Sequence, residues 1–266
     1  MDLNTFGMTN TISTILNSRT DDSYRAIASF LVPRMRDLES VGVREIMEGA
    51  FVSRSAVRRF CNLLGYSSWN HLKSSFSANV FPSDLRHRDM TLSVSDYRAQ
   101  LDARLDSVLD EIRSCVTDED VRALASEISA CDEVTLVCPS NTIGNLLRFQ
   151  QEMLYAGKYV NLVADVYDSH RISEGERGSL IITVSVTGGF AATADVWVRR
   201  QPGEKALVTA DGGHPVRSSY DCLCLLSRGD VKADDLGVWC KYGVAYYFDL
   251  LSACYLSECA DAARRA

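Results

Sequence analysis

Between Ser53 and Arg59 the chain reads Ser-Arg-Ser-Ala-Val-Arg-Arg, a run of hydroxyls and guanidiniums. Wound as a helix, it places Arg54, Ser55 and Arg58 on one outward face, with Arg59 at its margin. A guanidinium can hold guanine O6 and N7 with two parallel hydrogen bonds, and hydroxyls and amines suit phosphate oxygens. The chemistry is that of reading a DNA duplex. It assigns base contacts to Arg54 and Arg58, phosphate contacts to Ser53, Ser55 and Arg59, and a peripheral phosphate contact to Lys73.

Such a face needs a scaffold that fixes its rotation. Val43, Ile46 and Met47 would turn one short helix inward, Val57, Phe60, Cys61 and Leu64 the next, and Val52 would plug the turn between them. Ser53 is a good N-cap for the second helix, and Gly65 sits where a left-handed C-cap would close it. Ahead of this pair, Tyr24, Ile27, Ala28 and Leu31 mark a helix from Asp22 that Pro33 interrupts. Asn70 to Phe76 reads as a last short helix, and residues 1 to about 18 as a weakly ordered or loosely helical lead-in. From Val43 to Lys73 there are five basic residues against two acidic ones. Periodicity alone leaves two readings open, a groove-reading helix or a solvated basic surface helix.

Other chemistry is sparser. A proton-transfer enzyme needs a poised acid or base; Glu152, His170 and His214 are the candidates, the two histidines lying in polar loops. The nine cysteines are scattered through apolar runs, as reduced buried thiols are. The Cys222-x-Cys224 pair, on an apparent strand, is read as sending its thiols to opposite faces. No cysteine or histidine spacing suggests zinc, so neither metal nor cofactor is expected. A net charge of −7 opposes indiscriminate coating of nucleic acid. With no signal-like or membrane-spanning run, the chain is expected to be soluble and cytoplasmic.

Past a break in periodicity near Phe81-Pro82-Ser83-Asp84, the pattern changes. Tyr97, Leu101, Leu105, Val108, Leu109 and Ile112 trace a long helix, and Thr117 with Asp118, Glu119 and Asp120 starts another. Apolar runs at Val134–Cys138, Tyr159–Val163, Leu180–Val184, Ala206–Val208 and Cys222–Leu226 then alternate with helices or loops, the mark of a parallel sheet with crossovers. The aromatic-rich tail, Val238 to Arg264, offers more apolar surface than one helix face needs and is expected to pack on a second subunit.

The segment Val52-Ser53-x-Ser55-x-Val57-x-Arg59-Phe60-Cys61-x-x-Leu64-Gly65-Tyr66 resembles the recognition-helix region of RpiR-type transcriptional regulators. Two positions depart from that pattern: Phe51 stands where the turn usually has glycine, and Met47 where the preceding helix usually has alanine. The resemblance implies an α/β chain in two parts. An all-helical helix-turn-helix domain (1–80) and a linker (81–94) precede a parallel-sheet sugar isomerase (SIS) domain with helices on both faces (95–266). It further implies a phosphate-holding loop after the first strand, here Cys138-Pro139-Ser140-Asn141-Thr142-Ile143-Gly144, with Thr142 at the phosphate-binding serine and Ser140 at a glycine. The loop Ser185-Val186-Thr187-Gly188-Gly189-Phe190 is similar to the family's second loop, with Phe190 replacing a hydroxyl. Ser140, Asn141, Thr142, Ser185, Thr187, Gly188 and Gly189 are therefore the expected ligand contacts, beyond the carboxyl ends of the strands. The expected partners are double-stranded operator DNA, a small effector such as a sugar phosphate, and further copies of the chain in a homodimer or homotetramer. The function expected is gene regulation without catalysis. An SIS domain that only dimerises is the alternative, and a sugar-phosphate isomerase the third.

Overall fold

The computed structural model describes residues 12–13, 15–17, 21–35, 37–79, 91–139, 142–163, 179–229, 231–232 and 235–259. Backbone contacts divide the chain into two compact units, Met1–Pro82 and Ser83–Ala266. The expected linker lies largely outside the described residues.

The first unit is helical. Helix α1 (Asp22–Leu31) starts where the Asp21 carboxylate accepts the Ser23 N–H at 2.9 Å, and it runs into a 3₁₀ turn, Val32–Arg34, around Pro33. Helices α2 (Val43–Gly49) and α3 (Arg54–Leu63) follow, then α4 (Trp69–Asn79). Ile27, Leu31, Ile46, Phe60, Cys61 and Leu72 are fully buried in one cluster, with Val43, Met47 and Val52 packed at its edge. Gly65, at φ +82°, closes α3, and the Tyr66 N–H reaches back to the Cys61 carbonyl at 2.8 Å. Of the lead-in, residues 12–13 and 15–17 are described, and they are helical. Ile12 and Ile15 are buried in the same cluster, because two apolar residues three apart on a helical turn can cover its open side.

The second unit opens with α5 (Val94–Cys115) and α6 (Asp118–Ala130). Thr117 caps α6 in a reciprocal box: its hydroxyl accepts the Asp120 N–H at 3.2 Å, and the Asp120 carboxylate accepts the Thr117 N–H at 2.9 Å. Then come β1 (Glu133–Val137), α7 (Ile143–Tyr155), β2 (Tyr159–Val163), β3 (Ser179–Val184), α8 (Gly189–Val198), β4 (Glu204–Thr209) and β5 (Cys222–Leu225). A π-helical turn, Trp239–Gly243, leads into α9 (Val244–Cys254).

All five strands are parallel, in the order β2-β1-β3-β4-β5. Val134, Leu136, Leu180, Ile182, Ala206 and Val208 face one layer, built from α5, α6, α7 and α9. Val137, Ile181 and Leu207 face the other, built from α8 and the 3₁₀ turn Pro215–Ser219. This is the expected α/β class with helices on both faces of a parallel sheet. Among the described residues, no helix is long and apolar enough to cross a membrane.

Two expectations need correction. Cys222 and Cys224 do not point to opposite faces: their sulfurs lie 4.0 Å apart. Strand side chains alternate with period 2, so positions two apart share a face. The C-terminal helix also has less surplus than its composition suggests. Trp239, Tyr247, Phe248, Leu251 and Tyr255 are spent on the core, leaving Tyr242, Leu250 and Leu256 partly exposed.

The paired thiols differ in character. The hydrogen bond from Cys224 holds Cys222 below the ordinary thiol range, whereas burial pushes Cys61 up to about 11 and Cys138 up to about 12. Brief iodoacetamide treatment of the native chain at mildly alkaline pH is therefore expected to label Cys222 before Cys61 or Cys138, read by peptide mass spectrometry. Faster labelling of Cys138 would contradict this placement.

Candidate functional site

Two candidate surfaces stand on the two units. On the first, α3 carries Val57, Phe60 and Cys61 inward, which obliges Ser53, Arg54, Ser55, Arg58 and Arg59 to face out; all five are exposed. Ser53 is the N-cap: its Oγ accepts the Ala56 N–H at 3.2 Å and lies 2.8 Å from Ser55 Oγ. The helix start thus presents N–H groups, two hydroxyls and guanidiniums together, a local concentration of donors and positive charge.

The carboxylates nearby in sequence are occupied elsewhere. Glu48 pairs with Arg44 at 2.7 Å and Glu45 with Arg34 at 3.5 Å. Arg59 feels Asp21, whose carboxyl is held below its usual range chiefly by the Ser23 hydrogen bonds. Arg54 and Arg58 have neither hydrogen bond nor ion pair among the described residues. Lys73 is not simply peripheral, since its ammonium donates to the Glu39 carbonyl at 2.9 Å, tying α4 to the turn before α2.

On the second unit, strand order does the positioning. β1 lies between β2 and β3, so the chain leaves it toward one side and returns on the other; the crevice at such a switch point is where parallel sheets hold ligands. Val137 pairs in register with Thr183, which sets the loops after β1 and β3 side by side. Ser140 and Asn141 lie outside the described residues. Thr142 is buried directly ahead of α7.

The loop after β3 is firmly held. Ser185 is buried, and its Oγ accepts the Ala191 N–H at 3.1 Å, so this hydroxyl caps α8 from inside. Thr187 is exposed, and Gly188 adopts φ +72°. The N–H groups of Gly189 and Phe190 have no partner among the described residues, which leaves two donors at the start of α8.

The structure adds a residue that sequence reasoning set aside. His214, in the loop after β4, lies directly on Gly188: a β-carbon there would meet His214 Cγ at 2.5 Å. Nδ1 accepts the Val216 N–H at 3.2 Å, which puts the imidazole proton on Nε2. Only the neighbouring of β3 and β4 in the sheet reveals this; in the sequence His214 is 26 residues from Gly188.

The other acid–base candidates do not join it. Glu152 pairs with Arg148 at 2.7 Å and lines a cavity of about 280 Å³ between α7 and α9, with Asn145, Phe149, Tyr246 and Asp249. None of the crevice residues lines that cavity. His170 lies outside the described residues. Among the described residues no group of three or more His, Cys, Asp or Glu could hold a metal ion.

No family model matches the chain, and no curated protein matches its sequence. Solved structures do. The NanR protein of Vibrio vulnificus, solved in complex with ManNAc-6P, is similar over 96% of this chain and 94% of its own, with a TM-score of 0.51 and 14% identity. The E. coli CFT073 protein c3406 is similar over 66% of this chain and 95% of its own, with a TM-score of 0.50 and 14% identity. The sugar isomerase domain of an RpiR transcription factor from Sphaerobacter thermophilus aligns over 63% of this chain and 96% of its own, at 0.45 and 16%. The likeness is one of fold. A helical unit followed by a parallel sheet with helices on both faces, the fold class that the resemblance implied, is the fold of this chain.

The internal role of Ser185 is testable. Replacing Ser185 with Ala strands the buried Ala191 N–H, and the sheet unit is expected to lose about 1–3 kcal/mol in urea denaturation. An unchanged midpoint would contradict the capping role.

Proposed function

We propose that the chain is a DNA-binding transcriptional regulator whose operator affinity changes when a small anion, a phosphosugar or a relative of one, occupies the crevice beside Gly188. The observation that carries this reading is the exposed, unpaired Arg54 and Arg58 at the N-terminal end of α3. An outward helix start with unpaired guanidiniums suits a partner with acceptors at regular spacing, and a duplex major groove supplies base edges and phosphates within one helix width. The overall charge of −7 confines the attraction to this face, which favours a chosen site over general coating.

The effector follows from the second unit. Two free N–H groups at the start of α8, the Thr187 hydroxyl and Nε2 of His214 are donors, which select an anion. The ManNAc-6P held by NanR, a protein of similar fold, supports a sugar phosphate. The chain works as a homodimer or homotetramer in the cytoplasm, and the exposed Tyr155 and partly exposed Leu147 and Leu154 of α7 with Tyr242, Leu250 and Leu256 of the C-terminal helix support self-association. Occupancy of the crevice then alters the spacing of two recognition helices, which must match half-sites about 34 Å apart or a multiple of that. The reading is non-catalytic, requiring neither cofactor nor metal. Its support is that His214 stands at the crevice with Nδ1 engaged by the Val216 N–H, while Glu152, which could have joined it, is paired with Arg148 in a groove elsewhere.

One observation favours a narrower reading. The Ser185 hydroxyl is already bound within α8, and Phe190 brings no hydroxyl of its own, so the sheet unit could serve dimerisation alone. Thermal unfolding with ManNAc-6P and with related sugar phosphates separates the two. At a ligand concentration 100 times the dissociation constant a binder gains about 2.7 kcal/mol, and its midpoint rises with concentration, whereas a pure scaffold stays flat.

For the first unit, binding to duplexes selected from a random pool is expected to weaken by about 1–3 kcal/mol in Arg54→Ala or Arg58→Ala, with relaxed base preference. Equal affinity of both variants and the unaltered chain, measured at several salt concentrations, would remove the groove assignment.

A further inference from the structure

Cys222 and Cys224 lie on β5, an edge strand of the sheet, and turn toward the layer of α5, α6, α7 and α9. Positions two apart on a strand share a face, and here the two sulfurs stand 4.0 Å from each other. Across the ladder Cys222 meets the small Ala206. Cys224 is buried and Cys222 half-buried, so solvent reaches the pair from the Cys222 end. Two buried polar atoms accompany the thiols. The Tyr247 hydroxyl of α9 bears on Cys224 and Glu127 Oε2 of α6 on Cys222, and neither atom has a hydrogen-bond partner among the described residues. Packing alone does not account for unsatisfied polar atoms beside a thiol pair, since each is costly to bury.

Thiols so placed can close a disulfide or share a ligand, and distance decides between the two. Positions two apart on a parallel strand are about 6.6 Å apart along it, near the limit of roughly 6.8 Å for the α-carbons of a disulfide. The sulfurs would also have to close from 4.0 Å to bonding distance. A shared ion needs no such closure. With metal–sulfur bonds of about 2.3 Å, as for zinc, two sulfurs on one ion stand roughly 3.8 Å apart at a tetrahedral angle and about 4.6 Å apart in line. The observed 4.0 Å falls between these values.

Softness, coordination number and charge select the ion. Thiolates favour soft metals. Among the described residues no third His, Cys, Asp or Glu joins the pair, so an ion that demands four protein ligands is not served. The charged groups that bear most on Cys222 are the carboxylates of Glu127, Asp120 and Glu204. A divalent ion that displaces two thiol protons leaves the charge of the site unchanged, whereas a monovalent one leaves an added negative charge beside those carboxylates.

We propose that Cys222 and Cys224 form a chelating site for a soft divalent ion that accepts two sulfur ligands in line, the chemistry of mercury(II). The two thiol protons pass to solvent, and the Tyr247 hydroxyl donates to the Cys224 thiolate. The site stands whether or not the chain reads DNA.

The test uses the reduced full chain under nitrogen, with mercuric ion as the probe and excess glutathione as the competitor. Glutathione strips an ion held by a lone thiol, whereas in a preformed pair the second metal–sulfur bond is intramolecular and survives the competition. One equivalent of mercury per chain is expected to remain after dialysis, counted by elemental mass spectrometry. Cys222→Ser and Cys224→Ser are each expected to weaken retention by about 100-fold or more, and Cys254→Ser to leave it unchanged. Far-UV circular dichroism checks that each variant is folded; should Cys224→Ser not fold, Cys222→Ser, at the half-buried position, carries the comparison. In the unaltered chain the retained ion is expected to shield Cys222 from iodoacetamide while Cys254 and Cys259 label as before. The proposal is overturned if no equivalent survives glutathione, if Cys222→Ser still retains it, or if the retained ion shields other cysteines and leaves Cys222 reactive.

Discussion

The rotation of one ten-residue helix about its own axis governs which chemistry the first unit presents to solvent. Helix α3 is locked by Val57, Phe60 and Cys61, buried against Ile27, Leu31 and Ile46 from α1 and α2 and Leu72 from α4. Each large apolar side chain contributes about 1.5–3 kcal/mol by leaving water. Shifting the buried stripe by one position would turn the helix by about 100° and carry a guanidinium toward the core, where an unpaired charge costs more than any rearranged packing could offset. The outward direction of Arg54, Ser55 and Arg58 is thus a consequence of the aromatic side chain on the other face. Ser53 and Gly65 fix where that helix begins and ends, and so which of its residues stand in the first turn.

A different constraint governs the second unit. A parallel ladder buried on both faces leaves its polar chemistry only at the strand ends, and the order β2-β1-β3-β4-β5 decides which ends are neighbours. Loops far apart in sequence, after β1, β3 and β4, meet there. The junction is held by backbone bonds as well as by side chains: the Ser185 N–H donates to the Val208 carbonyl at 2.9 Å and the Ala210 N–H to the Val186 carbonyl at 3.0 Å. A ligand bound at this crevice, as proposed, would touch elements on both sides of the sheet centre, which is what a sensor requires if occupancy is to be felt beyond the pocket.

Much of this was legible in the residues. The stripe on α3, the caps at Ser53 and Thr117, the turn at Pro33 and the five apolar runs are local patterns, and the structure bears them out within a residue or two. What was not legible is tertiary. That the Ser185 hydroxyl accepts an N–H from the first turn of α8 does not follow from its residue type, and His214 reads as an isolated loop residue until β4 is placed beside β3. Phe51 could be noted as unusual in its turn, but neither its φ nor its exposure follows from residue type. The shared side of the Cys222 and Cys224 thiols, by contrast, follows from strand periodicity alone, which places positions two apart on one face. Composition overstated the free apolar surface of the C-terminal helix, because five of its large side chains fill the space between α5, α6, α7 and the sheet.

The central claim is that the outward face of α3 is where this chain meets a duplex. Hydrogen–deuterium exchange of the full chain, with and without a duplex it has selected, tests that most directly. The account predicts new protection concentrated in residues 51–59, with β1 to β5 unchanged. Protection spread over the sheet unit, with the backbone from Phe51 to Arg59 exchanging as in the free protein, would contradict it.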